Sequence, residues 1–171
     1  RADLAAHSTT CTLAYWHRPR FSSGALHGSS SSFVPLWDVL YAAGADVVLN
    51  GHEHLYERFA KQDPSGVADP NGIREFVVGT GGTRLTSFGT PLANSEVRIG
   101  GTVGVLKLTL GSAGYAWEFI PEAGQTSTDS GSDSCVGATG NQAPIVDAGP
   151  DQQVTLPAGA NLVGDRKSTR L

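Results

Sequence analysis

The sequence predicts an α/β protein built on a strand–loop–helix–strand unit, followed by Gly-punctuated strands. Residues 45–48 (Ala-Asp-Val-Val) begin a short apolar run rich in valine, which reads as a buried strand. Phe33, Leu36, Trp37, Leu40 and Tyr41 recur at helical spacing and give residues 33–43 one continuous apolar face. Residues 12–16 have strand character and stop at His17-Arg18-Pro19, where proline ends the pairing.

In chain order, Leu4 and Ala5 close a short helix, and 12–16 is the first strand. Residues 22–32, rich in Ser and Gly, form a loop that carries His27. The helix at 33–43 has Ser32 as its N-cap, Pro35 in the first turn, where a missing N–H costs little, and Gly44 as its stop. The second strand leads into Leu49-Asn50-Gly51-His52-Glu53-His54, with Gly51 permitting a tight turn. Residues 61–72 are turn chemistry and 73–79 an apolar strand. The glycines of 79–83 lack the Gly-Lys-Ser/Thr of a phosphate loop and read as a tight turn near the site. Residues 102–110 and 114–120 make a hairpin, with Trp117 and Phe119 on its core face.

The histidines carry the chemistry. His17, His52 and His54 lie just past strand ends on one rim, where ligands of open α/β sheets gather. If the chain stays extended beyond the second strand, His52 and His54 point the same way and converge. Neutral imidazole is a common ligand for Zn, Fe and Mn. The pattern is not the His-Glu-x-x-His of zinc proteases, and His-x-His pairs also occur in surface loops without a metal.

A net charge of -4 supplies no basic surface for nucleic acid. No stretch approaches the roughly 20 apolar residues that cross a bilayer. Low charge, no methionine and only twelve Lys plus Arg lean towards a secreted or extracellular bacterial protein, and 22 glycines favour a loop-rich, β-containing one. No signal peptide or initiating methionine precedes Arg1, so the start reads as a cut edge. Cys11 and Cys135 fit no zinc ribbon or redox pair. In an exported chain they would pair as a disulfide; the alternative is two unrelated thiols.

Residues 15–24 (Tyr-Trp-His-Arg-Pro-Arg-Phe-Ser-Ser-Gly) and 50–58 (Asn-Gly-His-Glu-His-Leu-Tyr-Glu-Arg) together resemble the C-terminal half of calcineurin-like metallophosphoesterases, most of all the purple acid phosphatase branch. The resemblance implies the C-terminal part of a four-layer β-α-α-β sandwich over residues 1–122. It also implies a centre of two metal ions (Fe, Zn or Mn) acting on a phosphate ester substrate. His17 and His52 would hold one metal and His54 the other, with His27 contacting substrate phosphate or assisting proton transfer and Arg18 binding phosphate. The family's Asp-x-His, Gly-Asp and Gly-Asn-His segments do not occur here, and Arg18 stands where the family often has a histidine. Three imidazoles without the bridging carboxylate imply a chain that binds metal weakly and has little activity alone.

Residues 123–140 are Gly, Ser, Thr and Asp with almost nothing to bury, a linker by composition. Residues 141–164 are similar to the opening of PKD-type domains, a truncated all-β immunoglobulin-like segment. Residues 165–171 resemble a translated sequencing adapter and read as a non-native tail. The competing reading is a non-catalytic extracellular binding module with vestigial histidines.

Overall fold

A computed structural model describes residues 2–6 and 9–136. The segments at 141–164 and 165–171, and the last four residues of the expected linker, lie outside the described residues. Within them a short helix, α1 (Ala2–Ala6), precedes strand β1 (Leu13–Tyr15), a 3-10 turn (Ser31–Phe33) and helix α2 (Val34–Ala42). Strands β2 (Val47–Asn50), β3 (Tyr56–Phe59), β4 (Arg74–Val78) and β5 (Ser95–Ile99) complete a five-stranded sheet in the order β1-β2-β4-β3-β5. Strands β6 (Gly104–Leu110), β7 (Gly114–Pro121) and β8 (Asp129–Ser134) form a second, antiparallel sheet.

β1, β2 and β4 run parallel, whereas β3 is antiparallel to both β4 and β5. Strand alternation then sorts each strand's side chains onto two cores. Val48, Phe59 and Val77 face Trp37 and Leu40 of α2, together with Phe21. Their neighbours Val47, Tyr56 and Phe76 face Tyr115, Trp117 and Phe119 of the second sheet. Among the described residues the five-stranded sheet thus lies between a helical layer and a second sheet.

α2 begins with the expected proline, but Ser32 is not its cap. Ser32 lies in the preceding 3-10 turn, Phe33 occupies the N-cap position, and no side chain caps the helix. Gly44 closes it at φ 70°, with the Gly44 and Ala45 amides donating to the Tyr41 and Leu40 carbonyls. That is a Schellman closure, and the positive φ is why glycine stands there.

The linker reading fails for residues 129–134, which form β8 along β7 from Phe119↔Asp129 to Gly114↔Ser134. Composition hides this strand because its anchors are charged. Asp129 accepts hydrogen bonds from Tyr56 Oη (2.7 Å), Trp117 Nε1 (3.1 Å) and both Nε (2.7 Å) and Nη2 (3.2 Å) of Arg58. Gly131 lies flat against Trp117, where an added Cβ would fall 2.4 Å from the indole. Cys135 follows β8 and is bonded to Cys11, just before β1, with Cα atoms 5.3 Å apart. The disulfide therefore joins the two sheets across 124 residues of sequence.

Candidate metal site at the strand ends

The rim is set by register. Tyr15 pairs with Leu49 at the ends of two parallel strands, so His17 and His52 leave the sheet side by side. Asn50 fastens the exit, its Nδ2 donating to the Trp16 carbonyl at 2.9 Å and to the Arg18 carbonyl at 3.3 Å. His52 Nδ1 then lies 3.0 Å from His17 Nε2. The loop brings His27 onto a face of the His52 ring, stacked at 4.2 Å between centroids.

Past β2 the chain does not stay extended. Glu53 N–H donates to the Gly51 carbonyl and Leu55 N–H to the Glu53 carbonyl, each at 2.8 Å, giving two consecutive three-residue turns. The residue in the left-handed region is His52 itself, at φ 65°, not Gly51. Strain of this kind in a non-glycine residue persists only where the surroundings impose it, and such residues cluster at functional sites. The turns break the alternation that would have made His52 and His54 point together. His54 faces another segment, its Nδ1 lying 2.9 Å from the Arg84 carbonyl. Gly79 lies directly beneath, where a Cβ would come within 2.0 Å of the Glu53 carbonyl oxygen. The glycine run thus supplies a close backbone approach, in keeping with a turn near the site.

The chemistry of the donors suits a metal in part. A carbonyl only accepts, so neutral His54 carries its proton on Nδ1, leaving the Nε2 lone pair free, the arrangement common in metal-bound histidine. Burial lowers the pKa of His52, and the nearby His27, Arg18 and His17 add to that. The neutral, ligating form is thereby favoured. No group of three or more His, Cys, Asp or Glu side chains converges as a metal cage among the described residues. His17 and His52 meet through one nitrogen each, and His54 stands apart with its own carbonyl partner. Arg18 is exposed at the same rim.

Sequence reasoning missed the carboxylates that hold this rim. Glu53, Glu57 and Glu75 are all fully buried. Glu75 accepts from the backbone N–H groups of Arg20 (2.8 Å) and Phe21 (3.0 Å). Glu57 accepts from Ser23 N–H (2.8 Å) and from the hydroxyls of Ser22 (3.2 Å) and Ser95 (2.6 Å). Burial pushes the Glu75 carboxyl up to about 8, against the pull of its two amide donors. The available signal was a glutamate inside each apolar strand, Glu57 in β3 and Glu75 in β4, where a solvated residue has no place.

Sequence and fold comparisons both find purple acid phosphatases. Over 89 residues, 49% of the chain, it is 35% identical to Purple acid phosphatase 15 of Arabidopsis thaliana, covering 16% of that protein. Purple acid phosphatase 18 of the same plant is 33% identical over 89 residues, with 20% of its length covered. The chain therefore spans a fifth or less of these curated relatives. A purple acid phosphatase from yellow lupin (Lupinus luteus) seeds superposes with TM-score 0.64 at 22% identity, covering 77% of this chain and 26% of that one. The fold is purple acid phosphatase-like. An anchor of the inner membrane complex of Plasmodium also shares it, with TM-score 0.60 at 19% identity over 74% of this chain and 38% of that one. No protein-family model matches the chain. No helix among the described residues is long and apolar enough to cross a membrane.

Proposed function

We propose that the chain is the C-terminal part of a secreted phosphate ester hydrolase with two metal ions, and that residues 1–122 supply part of its active site. His17 and His52 would hold one ion and His54 the other. The ions, when bound, supply the Lewis acidity that activates water and neutralises phosphoryl oxygens. His27, stacked on His52, would contact the phosphate or assist proton transfer, and Arg18 would offer a guanidinium to phosphate. The observation that carries the reading is the 3.0 Å approach of two imidazole nitrogens from separate strands, 35 residues apart in sequence. Residues 141–164 would open a PKD-type β-sandwich, and 165–171 would be a non-native tail.

The test is titration of the chain with Zn²⁺ or Mn²⁺, following the imidazole resonances by NMR and hydrolysis of a chromogenic phosphate ester in parallel. The expected result is weak binding that shifts His17 and His52 together, with negligible turnover. Metal ions leaving both rings unmoved would sink the reading. Turnover comparable with an intact enzyme would show that the family's missing carboxylate segments are dispensable.

A second reading, a non-catalytic binding module, draws on the incomplete cage among the described residues. A likeness in fold alone does not choose between them, since the Plasmodium neighbour that shares it is an anchor. The same titration separates the two.

A further inference from the structure

Glu53 lies between the two ligand-type histidines, yet its carboxylate is turned into the protein and is fully buried. Oε1 accepts from the backbone N–H groups of His27 (2.5 Å) and Gly28 (2.6 Å). Thr86 Oγ1 donates to Oε2 at 3.4 Å. Gly24 packs against the same carboxyl, where a Cβ would fall 2.3 Å from Cδ. Both amides belong to the loop after β1, and His27 is the residue stacked on His52.

We propose that Glu53 is a positioning residue, whose buried carboxylate ties the loop after β1 to the β2–β3 turn and holds His27 against His52. Its role differs from that of a metal ligand, because the carboxylate is fully buried, with Oε1 on the two loop amides and Oε2 facing Thr86 Oγ1. The geometry explains why a glutamate stands between two histidines on a tight turn. The Glu53 side chain points inward, and its carboxylate reaches two adjacent amides with charge-assisted hydrogen bonds. Glu57 and Glu75 hold the loop upstream, and Ala25 N–H donates to the Ser87 carbonyl at 3.0 Å, so releasing residues 27 and 28 is a local event. The consequence for hydrolysis rests on the metal-site reading above; the tether itself does not.

The test uses the metal-free, isotope-labelled chain, with two readouts: nuclear Overhauser contacts between the imidazoles of His27 and His52, and amide exchange at His27 and Gly28. E53A should abolish the contacts and speed exchange at both amides about tenfold or more, while β6 and β7 are unchanged. E53Q should retain both, because its amide oxygen can accept both N–H groups. The pair E53A/G24A refills volume without restoring an acceptor, so it should behave like E53A. Recovery in that pair would reduce Glu53 to packing and overturn the proposal, as would E53A with ring contacts and exchange intact. If E53A does not fold, E53D draws the carboxylate back by one methylene. Loss of the ring contact in a folded E53D supports the tether, and its retention, or a collapse of E53D and E53Q alike, overturns it. No metal is present, so a failed tether and a failed metal site are separate results.

Discussion

Carboxylates do different work on the two faces of the five-stranded sheet. On the rim side, Glu53, Glu57 and Glu75 take backbone N–H groups and hydroxyls, and none forms an ion pair among the described residues. At the seam between the sheets, Asp129 and Asp133 take side-chain cations instead. Arg58 forks onto Asp129, and Arg74 reaches Asp133 at 3.1 Å and Glu96 at 2.8 Å. Both guanidinium groups lie 5.0 Å from the Trp117 ring. A carboxylate bonded to main chain dictates the shape of a loop, which a site requires. A carboxylate paired with arginine joins two surfaces, which a seam requires.

The largest effect should come from the covalent part of the seam. Replacing Cys11 and Cys135 by Ala releases a loop of 124 residues. Chain entropy then predicts a loss of about 5 kcal/mol, read as a fall in the urea midpoint. A loss confined to the seam should leave the His27–His52 contact intact in whatever remains folded.

Next in size is Asp129→Ala, which strands the Arg58 guanidinium, the Tyr56 hydroxyl and the Trp117 N–H together. Removing one partner of a buried pair costs about 3–5 kcal/mol. A loss below 1 kcal/mol in equilibrium unfolding would show that the seam relies on apolar packing alone.

Opposite pH dependences sharpen the contrast. Arg58 and Tyr56 hold the Asp129 carboxyl below its ordinary value despite the opposing effect of burial, and Arg74 and Lys61 do the same for Asp133. Their contribution is complete above the unfolded value of about 3.8 and is lost as pH falls through the lower folded values. Glu75 carries the opposite sign. Its folded value is raised from 4.5 to about 8, so stability falls as pH rises across that window and levels off above it. Urea midpoints of the wild type should decline between those limits, and Glu75→Gln should flatten the decline. A Gln variant with the wild-type slope would reassign the titration to another group.

The smallest effect marks where charge ceases to matter. Lys107 and Glu118 face each other at 3.8 Å with both side chains more than half exposed. Lys107→Ala should therefore change stability by less than about 0.5 kcal/mol.

Much of the scaffold was legible because periodicity is a local property. The apolar spacing of α2, the valine run of β2 and the β6–β7 alternation each announce one element without knowledge of the rest. So were the histidines at strand ends, since a strand followed by proline or glycine shows where the chain leaves a sheet. β3, β5 and β8 were not legible. Their buried or bridging residues include Glu57, Glu96 and Asp129, whose partners come from distant segments.

The sequence by itself determined an α/β framework and a rim bearing His17, His27, His52 and His54, because apolar spacing and strand-ending residues act over a few neighbours. Only the tertiary structure decided that His52 takes a left-handed turn, that His54 parts from it, and that Glu53 reaches inward to the loop. Those choices depend on Gly79 lying beneath the turn and on amides some 25 residues away, contacts between segments that no local pattern records.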